Sequence, residues 1–114
     1  MPFLKIQTNV DIDQNKQTDL LTRASALTAS ELGKPESYVM VAIEPSCNMS
    51  FAGTTSPLAY LELKSIGLPE SKTATLSKAL CDLITESLNI DQGRVYIEFA
   101  DAPRKMWGWK GTTF

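Results

Sequence analysis

Laid against itself at an offset of about 55 residues, the chain repeats its own hydrophobic pattern, and a repeat of that period limits the folds open to it. Leu4, Ile6 and Thr8 alternate as a half-buried strand does, and Ala59, Leu61 and Leu63 restate that phase. Pro2 falls opposite Pro57. A helical stripe of Leu20, Ala24, Leu27 and Leu32 follows, echoed by Leu76, Leu80, Leu83 and Leu88. Gly33 suits a helix C-terminus, and Lys34-Pro35 ends the helix because the residue before proline is pushed out of the α region. Pro69-Glu70-Ser71 opens the second helix with early acidic and capping residues. Each half closes on a strand, Tyr38 to Ile43 in the first and Val95 to Phe99 in the second. Trp107-Gly108-Trp109 offers a further short strand.

The expected architecture is an α+β (α/β two-layer) fold, in which two β-α-β repeats build a four-stranded mixed sheet with two helices on one face. Residues 1–114 make a single domain, with the repeats at about 1–56 and 57–114. Two helices cover only one face of such a sheet. Tyr38 to Ile43 is apolar on both phases, as in a strand buried on both sides. The chain has no element left for the second face, so self-association through the open sheet faces is expected. The alternative is a two-layer monomer with a moderately apolar outer face.

Composition narrows the function. The apolar fraction of 43% and charged fraction of 21% are those of an ordinary globular protein. A net charge of −2 gives no basic footprint, which argues against nucleic acid as a partner. No apolar run approaches a membrane span, and Lys5, Asp11 and Asp13 interrupt any secretory h-region, so the cytoplasm is the default expectation. Cys47 and Cys81 stand far apart, and there is no histidine, so no metal site is expected. Cys81 reads as an inert core residue and Cys47 as a loop residue.

The lack of histidine leaves neutral-pH proton transfer to another group. Met1-Pro2 supplies a candidate. Removal of Met1 would turn the Pro2 nitrogen from an amide into a secondary amine, and an α-amine titrates near ~8 when unperturbed. With Met1 attached, that nitrogen has no basicity to offer.

Taken in order, Met1-Pro2 with Thr8-Asn9, Gly33-Lys34-Pro35 with Tyr38, Ser65-Ile66-Gly67, Arg94-Val95-Tyr96-Ile97, Gly108-Trp109 and Thr113-Phe114 resemble the macrophage migration inhibitory factor family of the tautomerase superfamily. The resemblance implies a homotrimer whose three sheets surround a central channel, with sites between subunits and no cofactor. It also implies keto–enol tautomerisation of phenylpyruvate, its 4-hydroxy analogue and D-dopachrome, with Pro2 as the catalytic base. Lys34 matches the family's pocket lysine, which would lower the Pro2 pKa and attract a substrate carboxylate, helped by the Ile66 N–H in its Ser65-Ile66-Gly67 setting. Tyr96 matches the tyrosine that enters from an adjacent subunit. Phe3, Tyr38, Ile66, Trp107, Trp109 and Phe114 are candidates for the walls. On residue type alone, Lys34 also reads as a helix-end cation, Tyr38 and Tyr96 as strand aromatics, and Trp109 as a packing anchor.

The chain departs from the family pattern in three places. Leu58-Ala59-Tyr60-Leu61 replaces the CxxC of the mammalian cytokine, so thiol–protein oxidoreductase activity is not expected. Glu98 stands where a pocket asparagine lies, and would repel an anionic substrate or pair with Lys34. Trp107 replaces a smaller aliphatic residue, while Arg104 and Lys105 just before it would offset Glu98. A cofactor-independent tautomerase is the expected function. A cytokine-like binding protein with a vestigial site is the alternative, and family members add non-classical secretion to the cytoplasmic default.

Overall fold

The computed structural model describes all residues, 1–114. Four strands form one sheet: β1 (Phe3–Thr8), β2 (Met40–Glu44), β3 (Ala59–Ile66) and β4 (Val95–Ala102), in the order β2-β1-β3-β4. β1 runs parallel to β2 and β3 parallel to β4, each pair joined through a helix. The two units meet antiparallel, Leu4 facing Leu63 and Ile6 facing Leu61. The internal repeat is therefore a mixed sheet built from two β-α-β units.

Helix α1 (Gln14–Leu32) starts where the Asp13 carboxylate accepts from the Lys16 N–H, and stops where Gly33 turns left-handed at φ 62°. Leu20, Ala24 and Leu32 are buried as the stripe predicts, but Leu27 is only half-buried, and Thr28 and Ala29 take the inner positions beside it. Helix α2 (Thr73–Leu88) buries Leu76, Leu80, Leu83 and Leu88. It is entered through a 3-10 turn, Glu70–Lys72, so the Pro69-Glu70-Ser71 signal marks that turn and the α-helix begins later. One contiguous core of 18 residues lies between the helices and the sheet.

Two expectations about the second strand need correction. The second strand begins at Met40: Pro35 directs the chain into a 3-10 turn, Glu36–Tyr38, which removes Tyr38 from the strand. β2 is also an edge strand with exposed ends, so it is not buried on both sides. The uncovered sheet face is not a uniform apolar surface either. Alternation brings Lys5, Glu62 and Glu98 into one cross-strand row on it. The Glu62 carboxylate lies 3.6 Å from Lys5 Nζ and 3.7 Å from Lys64 Nζ, and the Tyr60 hydroxyl donates to Glu62 and Glu98. Partial burial pushes Glu62 upward, but the Tyr60 hydroxyl, Lys5 and Lys64 outweigh it and hold the carboxyl below its usual range. Tyr60 is pushed up to about 12 by loss of solvent and by the two carboxylates.

The tail folds back as a hairpin, β5 (Gly108–Trp109) with β6 (Thr112–Thr113), separate from the main sheet. No helix is long and apolar enough to cross a membrane.

Candidate active site

The N-terminal strand, the turn before β2 and the C-terminal hairpin enclose a cleft of about 230 Å³. Pro2 is fully buried at its base, its carbonyl accepting from the Met40 N–H at 2.9 Å. Strand alternation explains the placement: Pro2 shares the core-facing phase of Leu4 and Ile6, while Phe3 takes the opposite phase. Three rings form the outer wall. Trp109 and Phe114 stack at 5.2 Å with planes 11° apart, and Tyr38 meets both edge-on at 5.7 and 5.9 Å. Trp107 completes the lining, and its carbonyl anchors the end of the chain by accepting from the Phe114 N–H.

Six of the residues singled out in the sequence thus converge here: Pro2, Phe3, Tyr38, Trp107, Trp109 and Phe114. The extra turn that takes Tyr38 out of the strand is what delivers its ring to the cleft. Ser37, Val39 and Met40 also line it, none of them marked as site residues by the sequence, together with Gly108 of the Gly108-Trp109 motif. The signal for the first three is Pro35, which directs the residues after it into a turn.

Met1 occupies the mouth, its amine donating to the Tyr38 carbonyl at 2.6 Å. That amine is lowered from its ordinary value by burial first and by the Lys34 ammonium second. Lys34 itself is half-buried just past the α1 cap, with its N–H bonded to the Ala29 carbonyl. It is not part of the cleft wall, and it acts on the amine through its field.

Ser65 and Ile66 are buried at the end of β3, where continuing the antiparallel register sets Ser65 opposite Pro2. Asp101 holds the turn beyond them, accepting from the Gly67 and Leu68 N–H groups at 2.8 and 3.0 Å. Sequence reasoning missed that bracket.

Tyr96 and Glu98 lie elsewhere in the protomer. Tyr96 pairs across the sheet with Tyr60 and, beyond it, Gln7, so strand spacing and rise place it about 19 Å from Pro2. Glu98 accepts from Tyr60 at 3.3 Å, so the expected pairing with Lys34 gives way to a partner on its own face of the sheet. Leu58-Ala59-Tyr60-Leu61 runs into β3, with Leu58, Ala59 and Leu61 buried. Burial also pushes the Cys81 thiol up.

A two-layer domain built from duplicated β-α-β units, with proline at the start of its first strand inside an aromatic cleft, defines a narrow structural class. The chain belongs to the macrophage migration inhibitory factor family, whose model matches residues 1–114. It is 41% identical to the macrophage migration inhibitory factor of Xenopus tropicalis, covering 100% of this chain and 99% of that protein. Against the homolog of Trichinella spiralis it is 37% identical, with full coverage of both. The crystal structure of the homologue from Prochlorococcus marinus superimposes with a TM-score of 0.93 at 41% identity, covering 98% of each chain.

Proposed function

We propose that this protein is a cofactor-independent keto–enol tautomerase acting on aromatic 2-keto acids such as phenylpyruvate, with the Pro2 amine as general base once Met1 is removed. The observation that carries this reading is the buried Pro2 at the base of an aromatic cleft, next to an amine position whose pKa the fold already lowers. Removing Met1 leaves the Pro2 nitrogen subject to the same two influences, low solvation and the Lys34 field, both of which favour its neutral form. The neutral amine takes a proton from the carbon beside the ketone, breaking a C–H bond. It returns the proton to the ketone oxygen, forming the enol O–H. No electrons leave the substrate, so no redox partner is required.

The surrounding residues supply orientation. Tyr38, Trp107, Trp109, Phe114 and Phe3 offer faces and edges to an aromatic ring. Lys34 and the Ile66 N–H attract the carboxylate. Tyr96 is too far away to act in its own protomer, and serves the cleft of a neighbour in a homotrimer. Two features support that assembly: both sheet edges, β2 and β4, are unpaired, and each presents a large exposed side chain, Met40 and Tyr96. In the trimer the polar sheet faces surround a central channel. No helix of the chain spans a membrane, and the cytoplasm is the proposed compartment, with non-classical export open to it.

Following enol absorbance after adding phenylpyruvate to the processed protein tests the reading. Pro2→Gly is expected to lower kcat/KM by about 10² to 10⁴-fold, the span of general-base catalysis. Equal rates for the two proteins would overturn it. The names of the relatives favour a second reading, a cytokine-like binding protein with a vestigial site, under which partner binding survives Pro2→Gly unchanged.

A further inference from the structure

Tyr96 is 65% exposed, yet its ring is not free to wander. The ring of Phe51 meets it edge-on, centroids 4.8 Å apart and planes at 63°. Phe51 belongs to the long connection between β2 and β3, where its only ladder is a two-way bridge to Thr54. A loop this irregular needs external fastening: Asn9 donates to the Thr55 carbonyl and accepts from the Leu58 N–H, and the stretch that carries Phe51 is tied by Arg94. Its Nε donates to the Pro57 carbonyl, Nη1 to Phe51, and Nη2 to Thr54 and Ser56, at 3.0 to 3.2 Å. Its guanidinium carbon also sits 5.3 Å from the Phe51 ring centroid. Four of the five guanidinium N–H groups are thus directed at one loop, and none at a carboxylate. Arg94 lies two residues before Tyr96, so the same short segment carries both the fastening and the ring it steadies.

We propose that Arg94 and Phe51 are positioning residues that hold the Tyr96 ring ready for the neighbouring protomer's cleft. The proposal rests on the assignment of Tyr96 to that shared site. An exposed tyrosine that must be immobilised when substrate arrives weakens binding, and one already held by a packed ring does not. The chemical step on Pro2 is untouched. The effect therefore falls on KM and spares kcat.

The test uses processed full-length protein with phenylpyruvate as the probe, and sedimentation to verify assembly. Phe51→Leu keeps bulk but loses the aromatic edge contact. It is expected to raise KM roughly two- to ten-fold, the span of an aromatic pair, with kcat within about two-fold of the parent. Phe51→Tyr restores the parent KM. Arg94→Lys, which lacks the planar fork, behaves like Phe51→Leu. Combining Phe51→Leu with Tyr96→Ala gives no rise in KM beyond Tyr96→Ala alone. In tyrosine-labelled protein, the Tyr96 ring resonances lose their ring-current displacement in Phe51→Leu, a readout independent of activity. If Arg94→Lys fails to fold, the Phe51 series carries the test. A parental KM for Phe51→Leu beside a raised KM for Tyr96→Ala overturns the positioning role and leaves the shared site standing. A parental KM in both overturns the shared site and this proposal together.

Discussion

At the residue scale the decisive quantity is the proton affinity of one amine. Burial and then the Lys34 ammonium hold the Met1 amine below its ordinary value, and under the proposed function the Pro2 amine exposed by Met1 removal inherits both influences, which favour the neutral base. The sign follows directly: activity is full above the Pro2 amine's pKa and falls as pH drops through it. Lys34→Ala removes one of the two influences, so the acidic limb of the kcat/KM profile should move to higher pH, by less than burial alone contributes. A pH–rate series on parent and variant checks this. The sequence revealed Pro2, Trp109 and Phe114 through type and order, but not Tyr38's route to them, because an aromatic residue suits the last position of a 3-10 turn and the start of a strand alike. Glu98 was legible as unusual, while its partner Tyr60 was not, since cross-strand neighbours depend on register.

At the scale of elements, the helix ends and the turn after β3 hold the site's components in place. Gly33 sits at φ 62° with open space around an added Cβ, so Gly33→Ala pays only conformational strain, about 1 kcal/mol. Chemical denaturation should show that loss with an unchanged slope. Asp101 is a different case: it satisfies two N–H groups at the turn that follows Ile66. Asp101→Ala should cost about 1–2 kcal/mol and, under the proposed function, raise KM, because the turn it releases adjoins the Ile66 backbone proposed to attract the carboxylate. Denaturation and steady-state kinetics on the same variant separate the two effects. Caps and breakers wrote Gly33 and Lys34-Pro35 plainly into the sequence. The Asp101 bracket spans more than thirty residues of chain, and no local pattern encodes such a contact.

For the whole molecule, charge is arranged against its own total. The chain carries a net −2, yet Lys34, Arg104, Lys105 and Lys110, all on segments that frame the cleft, enter none of its ion pairs. Those pairs use Lys5, Arg23, Lys64 and Lys78. These four cations, set against one unpaired side-chain carboxylate on the same segments, Glu36, draw anions toward the opening, and salt screens that attraction over a Debye length of about 8 Å at physiological ionic strength. With phenylpyruvate, kcat/KM should therefore fall several-fold between low salt and about 0.5 M, while a neutral enol shows little change. A stopped assay across a salt series with both substrates decides it. The duplicated β-α-β plan was legible because hydrophobic period survives in the sequence; the polar character of the open sheet face was harder to see, since it emerges only when four strands are set in register.

The meeting of Met1, Pro2 and Phe114 in one cleft also bears on how the protein can be handled. An affinity handle fused to either end would thread its linker across the opening, and kinetics recorded on such material would describe a partly stoppered cleft.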